Sequence, residues 1–497
     1  MENWILSFII TITYTVVAVI LGLKAKGNLD MNKMENWGNS GNSIGFLVMF
    51  FLIGAGQVSA FTFMGAPGWA VSKGVAALYV VVYLALMNFT IYLVNPRITD
   101  LAANKGLTTQ AQTFGARYES NGVRALGAIL GSIALIAYAE VQIVGCGYVL
   151  NIMSGGHLPT WLAEVIILCA IFAYVFRSGI RAVGFTNVLQ GILMFVISAV
   201  VCVWVLVKFT GSPWCGEAFN TILNDPDLVK TLTLPGLADN YPPVLWSTSI
   251  IVCMISIWPS FWVMASSGKD PDESRKGTSF VPIYQLVMIP MIIVGFVCLF
   301  AMDFGDVPPD KQALTLAMES LPWWLVGLLG AGTLAAAQSS SEPLFQTLAY
   351  TWTHDVFGPL CKWNKEKQGK IQRWLLLPFM FGIVLPLSIT NPAQLVNILL
   401  IGYGFLAQIF PMHIGIWIWP RATKAGALAG LIAGSAVTLI FSFGPLANFG
   451  NIHGGIYGLI VNFILLIVVS LVTQPAKRET LEIFFDKEFL DKAYVEE

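Results

Sequence analysis

Charge is what this 497-residue sequence has least of. Only 11% of its residues are charged, and Lys+Arg (27) nearly balances Asp+Glu (28). Soluble domains carry about a quarter charged residues, so a soluble enzyme, a disordered chain and a basic nucleic-acid binder are all excluded. Histidine is scarce too: His157, His354, His413 and His453 lack metal-ligand spacing. No Walker-type glycine loop appears, which argues against an ATP-driven pump. Of seven cysteines, Cys215 alone is expected to face the outer side, so no intramolecular extracellular disulfide is available. The leader Met1-Glu2-Asn3-Trp4 lacks positive charge, so the first apolar run is not expected to be a cleaved signal.

What the sequence does have is apolar length. Hydrophobic residues make up 56%, and the mean hydropathy is +0.73. A spanning helix needs about 20 mostly apolar residues. Thirteen runs qualify: 5–23, 44–70, 76–95, 126–152, 160–176, 182–207, 245–266, 280–302, 322–350, 375–391, 396–418, 424–444 and 455–473. They do not alternate as barrel strands do, so the expected fold is all-α and integral to the membrane. With the N-terminus outside, 23 of the 27 basic residues fall on the inner side. That asymmetry predicts an N-outside, C-inside topology. Trp69, Trp161, Trp246, Trp323 and Trp324 mark the outer ends, and Trp363, Trp374 and Trp419 the inner ones.

Two spans carry interruptions of the kind that line transport sites. The second reads Gly54-Ala55-Gly56-Gln57-Val58-Ser59-Ala60-Phe61-Thr62, followed by Gly65, Pro67 and Gly68. Close packing through small residues explains the glycines, whereas Gln57, Ser59 and Thr62 favour a binding segment. Five spans later, Ser256-Ile257-Trp258-Pro259-Ser260 interrupts 245–266. Spans two to six (44–208) and seven to eleven (244–418) then form two five-helix repeats, inverted because five is odd. The runs 5–23, 424–444 and 455–473 are peripheral, 1–475 is one transporter domain, and 476–497 is a cytoplasmic tail. In the ninth span, Pro343 cannot donate to the Ser339 carbonyl. Hydroxyls and freed carbonyls there suit a hard monovalent cation; serines bonding back to their own helix are the alternative.

The string Leu334–Phe357, with Ala335-Ala336-Ala337-Gln338-Ser339-Ser340 and a terminal His354-Asp355, resembles the ninth-span signature of the sodium/solute symporter family. Ser178-Gly179-Ile180-Arg181-Ala182-Val183-Gly184-Phe185-Thr186-Asn187-Val188-Leu189-Gln190 is similar to its Gly-Gly-x-x-Ala-Val-x-x-Thr-Asp-x-x-Gln motif. Pro420–Ala427 and Met64–Gly68 also fit. The resemblance implies a leucine-transporter-like (LeuT) fold, alternating access and Na+ coupling. It also implies a sodium site made of the Ala55, Val58 and Ala336 carbonyls and the Ser339 and Ser340 hydroxyls. The chain departs from the family at Asn187, where the motif has aspartate, and at Glu342 and Pro343, where some members place hydroxyls for a second sodium. Glu342, with Asn187 and the mid-span Glu140, is therefore a candidate second-ion or proton site.

The strings Tyr138-x-x-x-Gln142-x-x-Gly145 and Trp258-Pro259 with Met264-Ala265-Ser266-Ser267 look most like the branch carrying small monocarboxylates. Gln57, Ser59, Thr62, Gln142, Ser256, Trp258 and Tyr403 are the candidate solute contacts. No Arg or Lys is placed mid-membrane to clamp an anion, which leaves half-helix N-termini or the sodium itself. The expected function is sodium-coupled import of a small organic solute across the cell membrane by a monomeric unit, with no nucleic-acid partner and no catalysis. Proton or mixed coupling, an amino-acid, sugar or pantothenate-like cargo, a facilitator without ion coupling, and a sensor acting through the 477–497 tail are the alternatives.

Overall fold

The computed structural model describes residues 3–233, 247, 250–251, 257–390, 402–447 and 449–494. Ser256, Trp246, Cys253 and parts of the runs 245–266 and 396–418 lie outside the described residues. Among the described residues the architecture is helical, and Ile44 and Gly268 form an isolated parallel bridge. It joins two loops: Ile44 N donates to Ser267 O at 3.0 Å, and Lys269 N to Ile44 O at 2.9 Å.

The helices that position the site are α1 (Asn3–Lys24), α2 (Phe46–Gln57), α3 (Ala66–Lys73), α4 (Tyr79–Lys105), α5 (Asn121–Met153), α6 (Thr160–Thr210), α7 (Pro259–Ser266), α8 (Met288–Ala301), α9 (Pro309–Ser320), α10 (Trp323–Thr351), α11 (Lys424–Phe443) and α12 (Gly454–Val472). Their starts are capped where the sequence supplies an oxygen. Ser120 accepts from Val123 N before α5, and Thr423 from Gly426 N before α11.

Eight helices among the described residues are long and apolar enough to cross a membrane, against thirteen expected runs. Chain interruption accounts for part of the difference. Run 44–70 is divided between the twelve-residue α2 and a separate segment that begins at Phe61. Runs 160–176 and 182–207 lie on either side of a kink within the 51-residue α6, where Gly179 leaves helical geometry (ψ −145°). The path turns at Gly179, whose φ is +57° and whose missing Cβ leaves room for the Trp37 carbonyl, which a Cβ there would strike. Only glycine fits there on both counts.

Buried polar contacts and small residues tie the bundle together. α1, expected at the periphery, lies along α10: Ser7 Oγ bonds the Trp323 carbonyl at 2.7 Å and Thr11 Oγ1 the Gly327 carbonyl at 3.1 Å. α11 and α12 pack through Gly426, Gly430 and Gly434, spaced four apart, where an added Cβ would strike Ser470, Asn462 and Gln408.

Candidate ion and solute site

The second span breaks where its sequence loses helix-forming residues. α2 ends at Gln57, Val58 is extended (φ −86°, ψ 115°), and a π-turn over Phe61–Gly65 restarts the chain before α3. The loosened backbone is satisfied locally. Gln142 Oε1 accepts from Ala60 N at 2.9 Å, Ser59 Oγ from Phe61 N at 3.2 Å, and Thr62 N donates to Ser59 O at 2.9 Å. Gln142 thus reaches over from α5 to cap the half-helix, and the fully buried Thr62 braces the turn.

α10 runs past this break as a continuous helix, despite Pro343 within it. Ser339 Oγ lies 3.0 Å from Ala55 O, 3.3 Å from Val58 O and 3.0 Å from Ala336 O. Ser340 Oγ lies 3.0 Å from Gly56 O and 3.2 Å from Val58 O. Two hydroxyls hold two hydrogens between them, yet four carbonyl oxygens crowd round. The excess of lone pairs makes the pocket electron-rich, and a small cation matches it. All five ligand groups carried over from the family converge here. Gly56 O joins them, a carbonyl that no side-chain pattern could have flagged.

Beside this pocket is a cavity of about 40 Å3 lined by Gln57, Ser59, Tyr83, Tyr138, Trp258 and Tyr403, with Phe61 and Phe261 at its walls. About 10–15 Å3 of such space holds one water, so the described walls leave room for a few waters. Trp258 in its wall lies 5.1 Å from the Tyr138 ring and 5.9 Å from the Tyr403 ring. Gln57 is held by Asn88 Oδ1 and Gln285 Nε2, each at 2.9 Å. Among the described residues no charged side chain lines the cavity. Of the expected solute contacts, Gln57, Ser59, Trp258 and Tyr403 meet here, while Thr62 and Gln142 support the backbone instead. Tyr83, Phe61 and Phe261 were not singled out, because an aromatic in an apolar run reads as packing.

Glu342 turns from the serines towards α6. Its carboxylate accepts from Tyr174 Oη at 2.5 Å, Gln190 Nε2 at 2.8 Å and Thr186 Oγ1 at 2.6 Å. Tyr14 of α1 extends this network, bonding Gln338 Oε1 at 2.7 Å and receiving Gln190 Nε2 at 3.1 Å. Asn187 does not join: its amide bonds the Leu52 carbonyl at 3.2 Å. Glu140 sits apart on α5, buried, with no hydrogen-bond partner for Oε1 among the described residues. Tyr174 and Tyr14 lie far from Glu342 in sequence, and no local pattern pointed to them.

At the end of α10 an ion network closes the bundle. Arg124 Nε meets Asp355 Oδ1 at 2.8 Å, and Thr109 Oγ1 donates to Asp355 Oδ2 at 2.7 Å. Burial pushes the Asp355 carboxyl up, but His354, Arg124 and Thr109 outweigh it and hold it below the ordinary carboxylate range.

These features have counterparts among known proteins. The chain is 27% identical over 489 residues to the uncharacterized symporter YhjB of Bacillus subtilis (strain 168), covering 95% of this chain and 98% of the relative. It is 22% identical over 501 residues to a sodium/proline symporter of Staphylococcus aureus (strain JH9), covering 96% and 94%. A solved structure of a Na+-coupled sialic acid symporter, in a substrate-bound outward-open state, superposes with a TM-score of 0.79 at 17% identity, over 95% of this chain and 99% of that one. That likeness establishes a shared fold. The sequence profile of the sodium:solute symporter family matches residues 39–434. The chain therefore belongs to the sodium:solute symporter family, as a multi-pass cell-membrane transporter and not an enzyme.

Proposed function

We propose that the protein imports a small organic solute, a monocarboxylate, together with sodium by alternating access. The observation that carries the sodium part is the oxygen-rich pocket, in which Ser339 and Ser340 face the Ala55, Gly56 and Val58 carbonyls. The two sites share backbone: Val58 O belongs to the ion pocket, while Gln57 and Ser59 on either side line the cavity. A carboxylate in the cavity would then be neutralised by the sodium, with no arginine needed. The few directional hydrogen-bond groups in the cavity weigh against a sugar.

A second reading, an amino-acid cargo, is favoured by the ring of Tyr83, Tyr138, Trp258 and Tyr403, since aromatic faces attract an ammonium group. Glu342 is a second place for a coupling ion or proton. The thirteen-span, N-outside topology and the inverted repeats of a LeuT fold complete the reading, with the break at Val58 as the hinge region.

Uptake into proteoliposomes tests all of this. Small acids, amino acids and sugars are offered with and without a sodium gradient at two pH values. Sodium-stimulated uptake of a small acid is expected. Amino-acid uptake alone would replace the cargo, and no stimulation by either gradient would remove the symport reading. Glu342→Gln should alter ion stoichiometry or pH dependence while the protein still expresses.

A further inference from the structure

At the end of the bundle expected to face the cytoplasm, the segment 478–494 folds back onto the helices. Leu481, Phe485 and Leu490 are buried in a small core of their own, and Glu119 Oε1 takes the Thr480 hydroxyl at 2.6 Å. Between this segment and the bundle is a cleft of about 560 Å3. That is within the range of about 300–1,000 Å3 typical of ligand sites.

Its walls come from four distant parts of the chain. Arg97 and Asp100 belong to α4, Arg275 to the short helix Pro271–Ser279, Trp417 to the segment before α11, and Asp486 and Phe489 to the tail. Neither guanidinium has a hydrogen bond or ion pair among the described residues. Asp486 has no side-chain partner there either, and Asp100 has only the neutral Asn104 amide at 2.6 Å. Two free cations and two carboxylates thus face one cleft without pairing with each other. Trp417 and Phe489 add an apolar flank at the level where α4 leaves the expected bilayer.

We propose that this cleft binds the headgroup of an inner-leaflet phospholipid that carries both a phosphate and a primary ammonium. Arg97 and Arg275 take the phosphate, as arginine forks do, and Asp100 and Asp486 take the ammonium. Trp417 and Phe489 lie along the glycerol and upper acyl chain. Basic pockets on the cytoplasmic side of membrane proteins commonly hold lipid headgroups; here the added carboxylates select a zwitterion over a plain anion. Because Asp486 belongs to the tail and the other groups to the bundle, the lipid fastens the tail in place.

The test uses the purified full-length protein in phosphatidylcholine bicelles doped with phosphatidylethanolamine or with phosphatidylglycerol. Limited proteolysis of the tail is followed, with thermal unfolding alongside. Phosphatidylethanolamine should slow tail cleavage several-fold and raise the unfolding midpoint. Phosphatidylglycerol should do less, and phosphatidylcholine, whose quaternary ammonium donates no hydrogen bond, should do nothing. Soluble phosphoethanolamine distinguishes the source: protection by it alone makes a free phosphoammonium compound the ligand. Arg97→Ala with Arg275→Ala should abolish protection; if that protein does not fold, Asp486→Asn on the exposed tail should lower it. Equal protection by phosphatidylglycerol, no protection by phosphatidylethanolamine, or protection unchanged in the variants would overturn the proposal.

Discussion

The hydroxyl oxygen of Ser339 lies 3.0 Å from the carbonyl oxygen of Ala55, across 284 residues of sequence. The contact joins the continuous α10 to the broken end of α2. It is also overloaded, since Ser339 has one hydrogen for three carbonyls. Under the proposed function, a cation bound here would relieve that crowding and hold the two helices together. Ser339→Ala removes one oxygen. A charge-assisted bond is worth about 1.5–3 kcal/mol, and about 1.4 kcal/mol is tenfold in affinity. Sodium affinity should therefore fall by roughly 10–100-fold, read from 22Na+ binding to the purified protein. Affinity unchanged from wild type would place the ion elsewhere.

Gln142 predicts a different phenotype. Its oxygen caps Ala60 N at 2.9 Å and lies behind the cavity. Gln142→Ala leaves that buried N–H unsatisfied, at a cost of about 1–3 kcal/mol. Thermal unfolding should show the loss, and every transported solute should be affected alike. A variant that discriminates among solutes at wild-type stability would instead make Gln142 a direct contact. Gln142→Glu, which keeps the acceptor, should restore much of the stability.

The contrast between Gln142 and Ser339 shows what sequence could reveal. The break at Val58 was legible because Gly54, Gly56 and Gln57 are locally wrong for an apolar helix. The ninth-span serines were legible for the same reason, and the family motif supplied their partners. Partnership across the bundle was not legible. Tyr174 and Glu342 are 168 residues apart, and nothing in either neighbourhood encodes the 2.5 Å contact. The cavity wall was hidden for another reason: Tyr83, Phe61 and Phe261 sit in runs where aromatics are ordinary core residues. Gln142 was visible as a polar residue in an apolar helix, yet whether its amide faced solute or backbone depended on where α5 met the break. The expected runs 160–176 and 182–207 do leave a gap where the chain kinks at Gly179.

Asp355 makes stability sensitive to acid. Its carboxyl is held low by His354 and Arg124 against the opposing effect of burial. A depressed carboxylate contributes stability that is complete above its unfolded value, about 3.9, and is lost as pH falls through the folded value. The unfolding midpoint should therefore drop steeply below about pH 4. Asp355→Asn should be less stable at neutral pH and lose less on acidification. Arg124→Ala leaves the carboxylate buried without its ion pair, and should cost about 3–5 kcal/mol. The double variant should cost less than the two singles added together.

On the side expected to be external, Gly68 of α3 receives α9 so closely that an added Cβ would lie 2.5 Å from Asp310 Oδ1, 2.8 Å from Asp310 N and 2.9 Å from Asp310 Cα. Two of those are backbone atoms, so rotating the Asp310 side chain relieves only part of the clash. Gly68→Ala should push α9 away from the broken span and cost about 1–3 kcal/mol, the usual range for overpacking. Adding Asp310→Ala should rescue it only in part, because it removes the carboxyl contact and leaves the two backbone ones; full rescue would show that the carboxyl was the whole obstacle. Asp310→Asn alone should behave in the opposite way. Burial pushes this carboxyl up from its ordinary 3.8 to about 6. A raised acid costs nothing when both states are protonated, and its penalty grows as pH rises from about 4 through about 6. The wild-type protein should thus lose stability across that window, and Asp310→Asn should flatten the loss. The Tm difference between the two should appear only on the neutral side, and a difference that persists below pH ~4 would assign the effect to packing and not to charge.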